Sequence, residues 1–190
     1  VETIVWAGDS SGVGRMEPEM LNPVIFLRAA EYAINSSGGN AIVGTNLRYT
    51  LNDHLTFYGQ FTLDEMKFDE LFGGAGWWAN KYAWQIGVKG FDLGLEGLHA
   101  QLEYNQIRPY TYTHRSTFTS FTHYNYSNAH AAGANLREGV AIIRYNKDRW
   151  RFKAQFNYLV QGRDTLGSNW GANPLLSYDS REQDYGNEIG

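Results

Sequence analysis

Several groups of residues in this sequence have the types that reactions use, and their spacing decides what they can do. His123 and His130, followed by Asn135 and Glu138, carry the nitrogen and oxygen donors of a metal site. Two histidines in loop-like sequence have no fixed mutual geometry, however, and no thiolate or His-Glu-x-x-His pattern joins them. They are expected to make polar contacts that hold a loop onto its scaffold, and to bind no metal. Asp64 and Glu65 could form the carboxylate pair of acid–base chemistry. Adjacent strand residues point to opposite faces, so the two are not expected to meet one substrate. Serines are frequent in 116–127, but without a Gly-x-Ser-x-Gly elbow. Gly73-Gly74-Ala75-Gly76 lacks the Lys-Ser/Thr of a phosphate loop and reads as loop flexibility. No catalytic residue and no cofactor is expected.

Binding is better represented than catalysis. Trp77 and Trp78 could stack on sugar rings, burying rigid area at low entropic cost. They could equally join an interfacial aromatic belt with Tyr82 and Trp84 just beyond them. Arg48, Lys81, Lys89, Arg144, Arg151 and Lys153 share the polar phase of their segments, against Asp64 and Glu103. Such a basic wall in a chain of net charge −4 could attract an anionic partner such as an acidic polysaccharide, or be neutralised by loop carboxylates.

The elements that position these residues announce themselves by alternation. In 149–161, Trp150, Phe152, Ala154, Phe156, Tyr158 and Val160 take one phase. Arg151, Lys153, Gln155, Asn157 and Gln161 take the other, with Leu159 as the exception. A period of two over such a length is a strand with one apolar and one polar face. The same reading gives strands near 41–51, 54–65, 80–91, 96–107 and 137–146, with a weaker one near 24–34 and a possible half strand at 2–7. In 138–146 the pattern blurs, because Val140 and Ile142 share a phase with Arg144. Eleven residues at about 3.3 Å each, tilted about 45°, cover roughly 25 Å, the apolar height of an outer-membrane barrel. Sandwich strands are shorter, at about five or six residues. Short links at 52–53, 91–96 and 146–148 alternate with long ones at 66–79, 109–135 and 162–190, the habit of an up-and-down barrel. Segment 9–23 does not fit this alternation.

Composition agrees with strands. Among 190 residues, 13 Tyr, 10 Phe and 6 Trp accompany 21 Gly and only 4 Pro. Mean hydropathy is −0.46 and no run of about 18 apolar residues occurs. A barrel wall escapes that test, because lipid-facing residues alternate with polar ones. The net charge of −4 argues against nucleic acid as a partner. The chain has no cysteine, and its first residues lack the order of a signal peptide. An exported protein of this kind would then be a mature form or an internal fragment. The sequence ends without the terminal aromatic strand of bacterial barrels, which points to part of a larger barrel.

Four blocks carry a family resemblance. They are Leu21-Asn22-Pro23-Val24-Ile25-Phe26-Leu27-Arg28, Leu55-Thr56-Phe57-Tyr58-Gly59-Gln60-Phe61 running into Leu63-Asp64-Glu65, Thr122-His123-Tyr124-Asn125 with Ala129-His130, Gly133-Ala134-Asn135 and Glu138, and Tyr185-Gly186-Asn187. Together they resemble the Wzi-like capsule-assembly proteins of Bacteroidota and the related gliding-motility barrels. Where that family would place Pro-Leu after the second histidine, Ala131-Ala132 stand here. The resemblance implies an outer-membrane location, His123, His130, Asn135 and Glu138 as a motif loop, and a non-catalytic role in attaching or assembling capsular polysaccharide. The expected fold is all-β, an antiparallel up-and-down transmembrane β-barrel in one region over 1–190, with outer-membrane lipid and other outer-membrane proteins as partners. A structural barrel serving gliding or secretion machinery, and a soluble lipocalin-like carrier, are the rival expectations.

Overall fold

Alternating apolar and polar residues satisfy their backbone groups only by pairing with neighbours, and the segments that alternate pair into one sheet. The computed structural model describes residues 2–5, 40–66 and 68–189. Among the described residues the chain is all-β apart from single helical turns. Its strands are β1 (Glu2–Val5), β2 (Asn40–Asn52), β3 (Leu55–Glu65), β4 (Lys81–Gly90), β5 (Leu98–Ile107), β6 (Thr122–His123), β7 (Tyr126–Ser127), β8 (Leu136–Lys147) and β9 (Trp150–Gln161). A short helix, α1 (Phe68–Phe72), lies between β3 and β4. β6 and β7 form a small separate hairpin. The weak strand near 24–34 and the segment 9–23 lie outside the described residues.

The main sheet runs β1-β2-β3-β4-β5-β8-β9, every neighbour antiparallel. Each strand pairs with the next long strand in the chain, so the topology is an up-and-down meander. Among the described residues the sheet is open, with β1 and β9 at its edges. Links 53–54, 91–97 and 148–149 turn at one end, and 66–80, 108–135 and 162–189 emerge at the other. The short links are built from local chemistry. Asn52 Oδ1 accepts from the N–H groups of His54 and Leu55, both at 2.9 Å, which folds the β2–β3 turn onto its own side chain. Asp92 Oδ1 accepts the Gly97 N–H at 2.6 Å and closes the β4–β5 turn.

The two faces differ in kind. On one, Leu47, Tyr49, Phe57, Phe61, Ile86, Leu102, Ile143, Phe152, Phe156 and Tyr158 are all exposed, with Leu102 at 58% and Phe156 at 66%. Cross-strand register aligns them: Phe57 faces Val88, Val88 faces Leu102, Leu102 faces Ala141 and Ala141 faces Phe156. Aromatics mark both ends of this face, Phe61 stacking on Tyr82 near the long links and Trp150 on Phe152 near the short ones. The opposite face holds the polar phase. The blurred pattern in β8 resolves here, since Val140 pairs with Glu103, Ile142 with Gln101 and Arg144 with His99 on that polar side.

The buried core is at the long-link end, not on the sheet's apolar face. Ile42, Ala83, Ile107 and Leu136 occupy the last rows of the polar-phase face and receive Tyr112 and Ala134 from the link 108–135. The three long links thus form a cap over that end of the sheet. Buried Tyr110 is its hub: its hydroxyl donates to Asn169 O at 2.7 Å and its N–H to Gly171 O at 3.0 Å. Gly171 has a positive φ of 76°, and a Cβ there would run into Tyr110. Arg108, just past β5, ties the link 66–80 and the C-terminal segment together by donating to Asn80 O at 2.9 Å and Asn187 O at 3.0 Å.

Candidate functional site

The polar face presents a connected hydrogen-bond network rather than isolated side chains. Gln85, Asn105, Glu138 and Leu159 occupy one cross-strand row. Gln85 Nε2 donates to Asn105 Oδ1 at 2.9 Å, and Asn105 Nδ2 donates to Glu138 at 3.1 Å and Glu103 at 3.0 Å. Asn157 Nδ2 reaches the other oxygen of Glu138 at 3.0 Å. In the next row Tyr58 donates to Glu103 at 2.6 Å and accepts from Gln101 Nε2 at 3.0 Å. Gly87 lies beside Tyr58, where any Cβ would collide with the phenol ring. Each of these carboxylates accepts from three donors, which ties the side chains of the face to one another.

The basic residues separate into two places. Arg48, Lys89, Arg144, Arg151 and Lys153 share the polar-phase face in the rows nearest the short links, with Arg144 paired to Lys153 across β8 and β9. Lys89 Nζ stands 4.9 Å from the centre of the Tyr58 ring. Among the described residues none of these five forms an ion pair, so the expected loop carboxylates do not neutralise them there. Lys81 lies at the opposite end and is fully buried. Its Nζ is 3.6 Å from Asp64 and 3.0 Å from Glu65, and it donates to Thr113 O at 3.0 Å. It also stands 4.8 Å from the Tyr178 ring. Lys81 is therefore a structural ion inside the cap, and its shielding from solvent removes it from any basic binding wall.

This cluster corrects the expectation that Asp64 and Glu65 face apart. The register of β3 against β4 shifts between Leu63 and Glu65. The irregularity breaks strict alternation at the strand end, so both carboxylates reach one ammonium. Asp64 also accepts the Tyr112 N–H at 2.9 Å, locking the cap onto β3. Tyr112 has a φ of 75°, a costly left-handed conformation for a bulky residue.

Trp77 and Trp78 belong to the same cap and are half-buried. Trp78 lies 4.7 Å from Tyr178, edge-on to Tyr110 at 6.2 Å, and 4.3 Å from the Arg181 guanidinium. Arg181 is held by Asp184 at 2.6 Å. Trp78 is a packing residue of the cap, with little face left for a sugar ring. His114 packs against Tyr178 at 5.7 Å and its Nδ1 meets Thr119 Oγ1 at 2.6 Å. Burial, then the nearby Lys81 charge, push its imidazole below the ordinary range. Burial likewise pushes the Tyr112 hydroxyl up to about 12.

The four motif-loop residues do not converge. His123 is exposed on the small hairpin, its ring 4.3 Å from that of Tyr124. His130 Nε2 contacts Glu138 at 3.1 Å while its Nδ1 accepts the Ala132 N–H at 3.2 Å. Both ring nitrogens are thus engaged, one with the sheet and one with the arm's own backbone. Asn135 is buried with φ 53°, donating from its amide to Trp170 O at 3.0 Å and accepting the Gly162 N–H at 3.0 Å. His130 and Glu138 thus latch the link 108–135 to the sheet, while Asn135 joins it to the C-terminal segment. Among the described residues no group of three or more His, Asp and Glu gathers into a metal-binding set.

Between the polar face and the arm 121–130 lies a half-open cavity of about 370 Å³. Its lining combines apolar Ile42, Ala83 and Ile107, the aromatic rings of Tyr112 and Phe121, and the carboxamides Gln60 and Asn128. Sequence periodicity marks Gln60 as polar-phase but carries no sign that a distant loop returns to cover it. No family model, no curated protein and no solved structure matches this chain.

Proposed function

We propose that this chain is wall and cap of a bacterial outer-membrane β-barrel with a non-catalytic role in holding cell-surface polysaccharide. The observation that carries the reading is the exposed apolar face of the sheet. A water-facing surface of that extent is rare on soluble proteins, where contiguous apolar patches stay within a few hundred Å². Hydrocarbon is a fitting occupant. The strands are long enough to cross it at a tilt, aromatics stand at both ends of the face, and an open groove of about 510 Å³ lined by Phe57, Leu102 and Phe156 suits acyl chains. Sequential antiparallel pairing leaves every internal strand with satisfied backbone groups, the condition for spanning lipid. On this reading the polar face lines the lumen and the cap lies outside the cell.

The polysaccharide part of the proposal is supported by the five polar-face cations that form no ion pair among the described residues. They offer an anionic polymer a wall whose charge is not already spent inside the described chain. The family resemblance points the same way. Expression with membrane fractionation tests the first part: the protein should enter the outer membrane and run faster on a gel unheated than heated. A protein that stays soluble without detergent would contradict it. Deleting the gene should release surface polysaccharide into the medium; unchanged retention would contradict the polysaccharide role.

A further inference from the structure

The half-open cavity under the arm 121–130 has a chemistry distinct from the basic rows below it. Among its described lining residues there is no lysine, arginine, aspartate or glutamate, and the His130 ring is already engaged with Glu138. A charged ligand would find no counter-ion among these residues and would lose its hydration uncompensated by them. What the lining does offer is carboxamides beside apolar and aromatic surface. Gln60 and Asn128 make no side-chain hydrogen bond among the described residues, and Gln85, also in the lining, spends its Nε2 on Asn105 and leaves its carbonyl oxygen without a partner among them. A carboxamide both donates and accepts, which matches hydroxyl groups that do the same. Tyr112 and Phe121, with ring centres 5.8 Å apart, wall one side.

The contacts that lock the cap onto β3 also hold this wall in place. Tyr112 keeps its strained backbone because its N–H is gripped by Asp64, which is itself fixed by buried Lys81. Strain that persists because the surroundings over-determine it is a frequent mark of binding sites. The His130–Glu138 contact holds the covering arm down on the opposite side. The volume falls in the range of about 300–1,000 Å³ typical of small-molecule sites.

We propose that this cavity binds a neutral sugar unit, its hydroxyls read by Gln60, Gln85 and Asn128 and its C–H face laid on Tyr112 and Phe121. The assignment rests on the polysaccharide reading above and refines it: the neutral unit sits in the cavity while acidic units of the same polymer would meet the basic rows. The test is calorimetric titration of the full chain in detergent with glucose, galactose, mannose and maltose, and with glucuronate as the charged counterpart. At least one neutral sugar should bind saturably, with glucuronate at least about tenfold weaker. Gln60→Ala and Asn128→Ala should each weaken that binding about tenfold, the effect of one good hydrogen bond, without altering the heat-dependent gel shift. No saturable binding by any neutral sugar, glucuronate binding as tightly, or unchanged affinity in both variants would overturn the proposal. The gel shift is read separately, so a shifted protein without sugar affinity defeats this assignment and leaves the barrel standing. A wild-type protein without the shift defeats the barrel, and the titration still decides the cavity.

Discussion

Lys81 decides more of this structure than any other single residue. Its ammonium is the only cation in contact with Asp64 and Glu65 among the described residues, and Lys81 and Asp64 side chains are wholly shielded from water. Replacing it with methionine would leave a buried carboxylate uncompensated and should lower stability by about 3–5 kcal/mol. Denaturant melts of Lys81→Met against Lys81→Met/Asp64→Asn/Glu65→Gln check this: the triple variant should recover much of the loss. Equal midpoints for wild type and Lys81→Met would contradict it. His114 supplies a pH dependence whose sign is fixed. Its folded-state proton affinity is depressed by burial and by Lys81, with Arg115 acting the same way and Glu65 and Asp179 opposing. Below about 6.5 the unfolded chain therefore binds more protons at this site than the folded one. Stability contributed there is present above that pH and falls as pH drops through it. The midpoint should decrease from pH 7.5 to 5, and less so in His114→Asn; identical pH dependence in both proteins would contradict the assignment. The sequence placed Lys81 correctly in the polar phase of its strand, but its role was illegible, because a register shift at Glu65 turns a neighbour that alternation sends away.

At the scale of elements, alternation was a good guide wherever a strand has one dry and one polar side. β9 reads cleanly because its apolar residues from Trp150 through Val160 keep period two, with Leu159 the one exception, and the whole segment is a single strand. β8 read poorly because its polar-face positions Val140 and Ile142 are apolar, packed across from Glu103 and Gln101. The cap was beyond the sequence, since its buried contacts pair Tyr110 with Asn169 and Asn135 with Trp170 across links with no periodicity. Two substitutions test the elements. Leu102→Arg puts a charge at mid-height of the apolar face and should cost about 2–4 kcal/mol of membrane stability, whereas Asn46→Arg on the polar face should cost little. Equal effects on folding yield into lipid vesicles would contradict the face assignment. Gly171→Ala needs a left-handed backbone and collides with Tyr110, so it should destabilise the cap by about 1–3 kcal/mol. Limited proteolysis should then cut the links 108–135 and 162–189 sooner than in wild type.

For the whole molecule, the two faces and the capped end form one arrangement. A meander with short turns at one end, packed links at the other, and apolar side chains outward is stable only if something dry covers the outward side. All-β character and strand direction follow from residues such as Phe152, Ala154 and Phe156 against Arg151, Lys153 and Gln155. What covers the apolar face does not follow from alternation, because a soluble sheet hides the same pattern inside. The native chain has no cysteine, so single cysteines report without background. The most direct measurement places one at a time at 100 to 104 along β5, reconstitutes each protein in lipid vesicles, and reads an attached environment-sensitive dye against lipid-soluble and water-soluble quenchers. Ala100, Leu102 and Tyr104 should give positions quenched from the lipid, and Gln101 and Glu103 positions quenched from water, alternating residue by residue. Uniform quenching from water along the strand would contradict a membrane-facing wall.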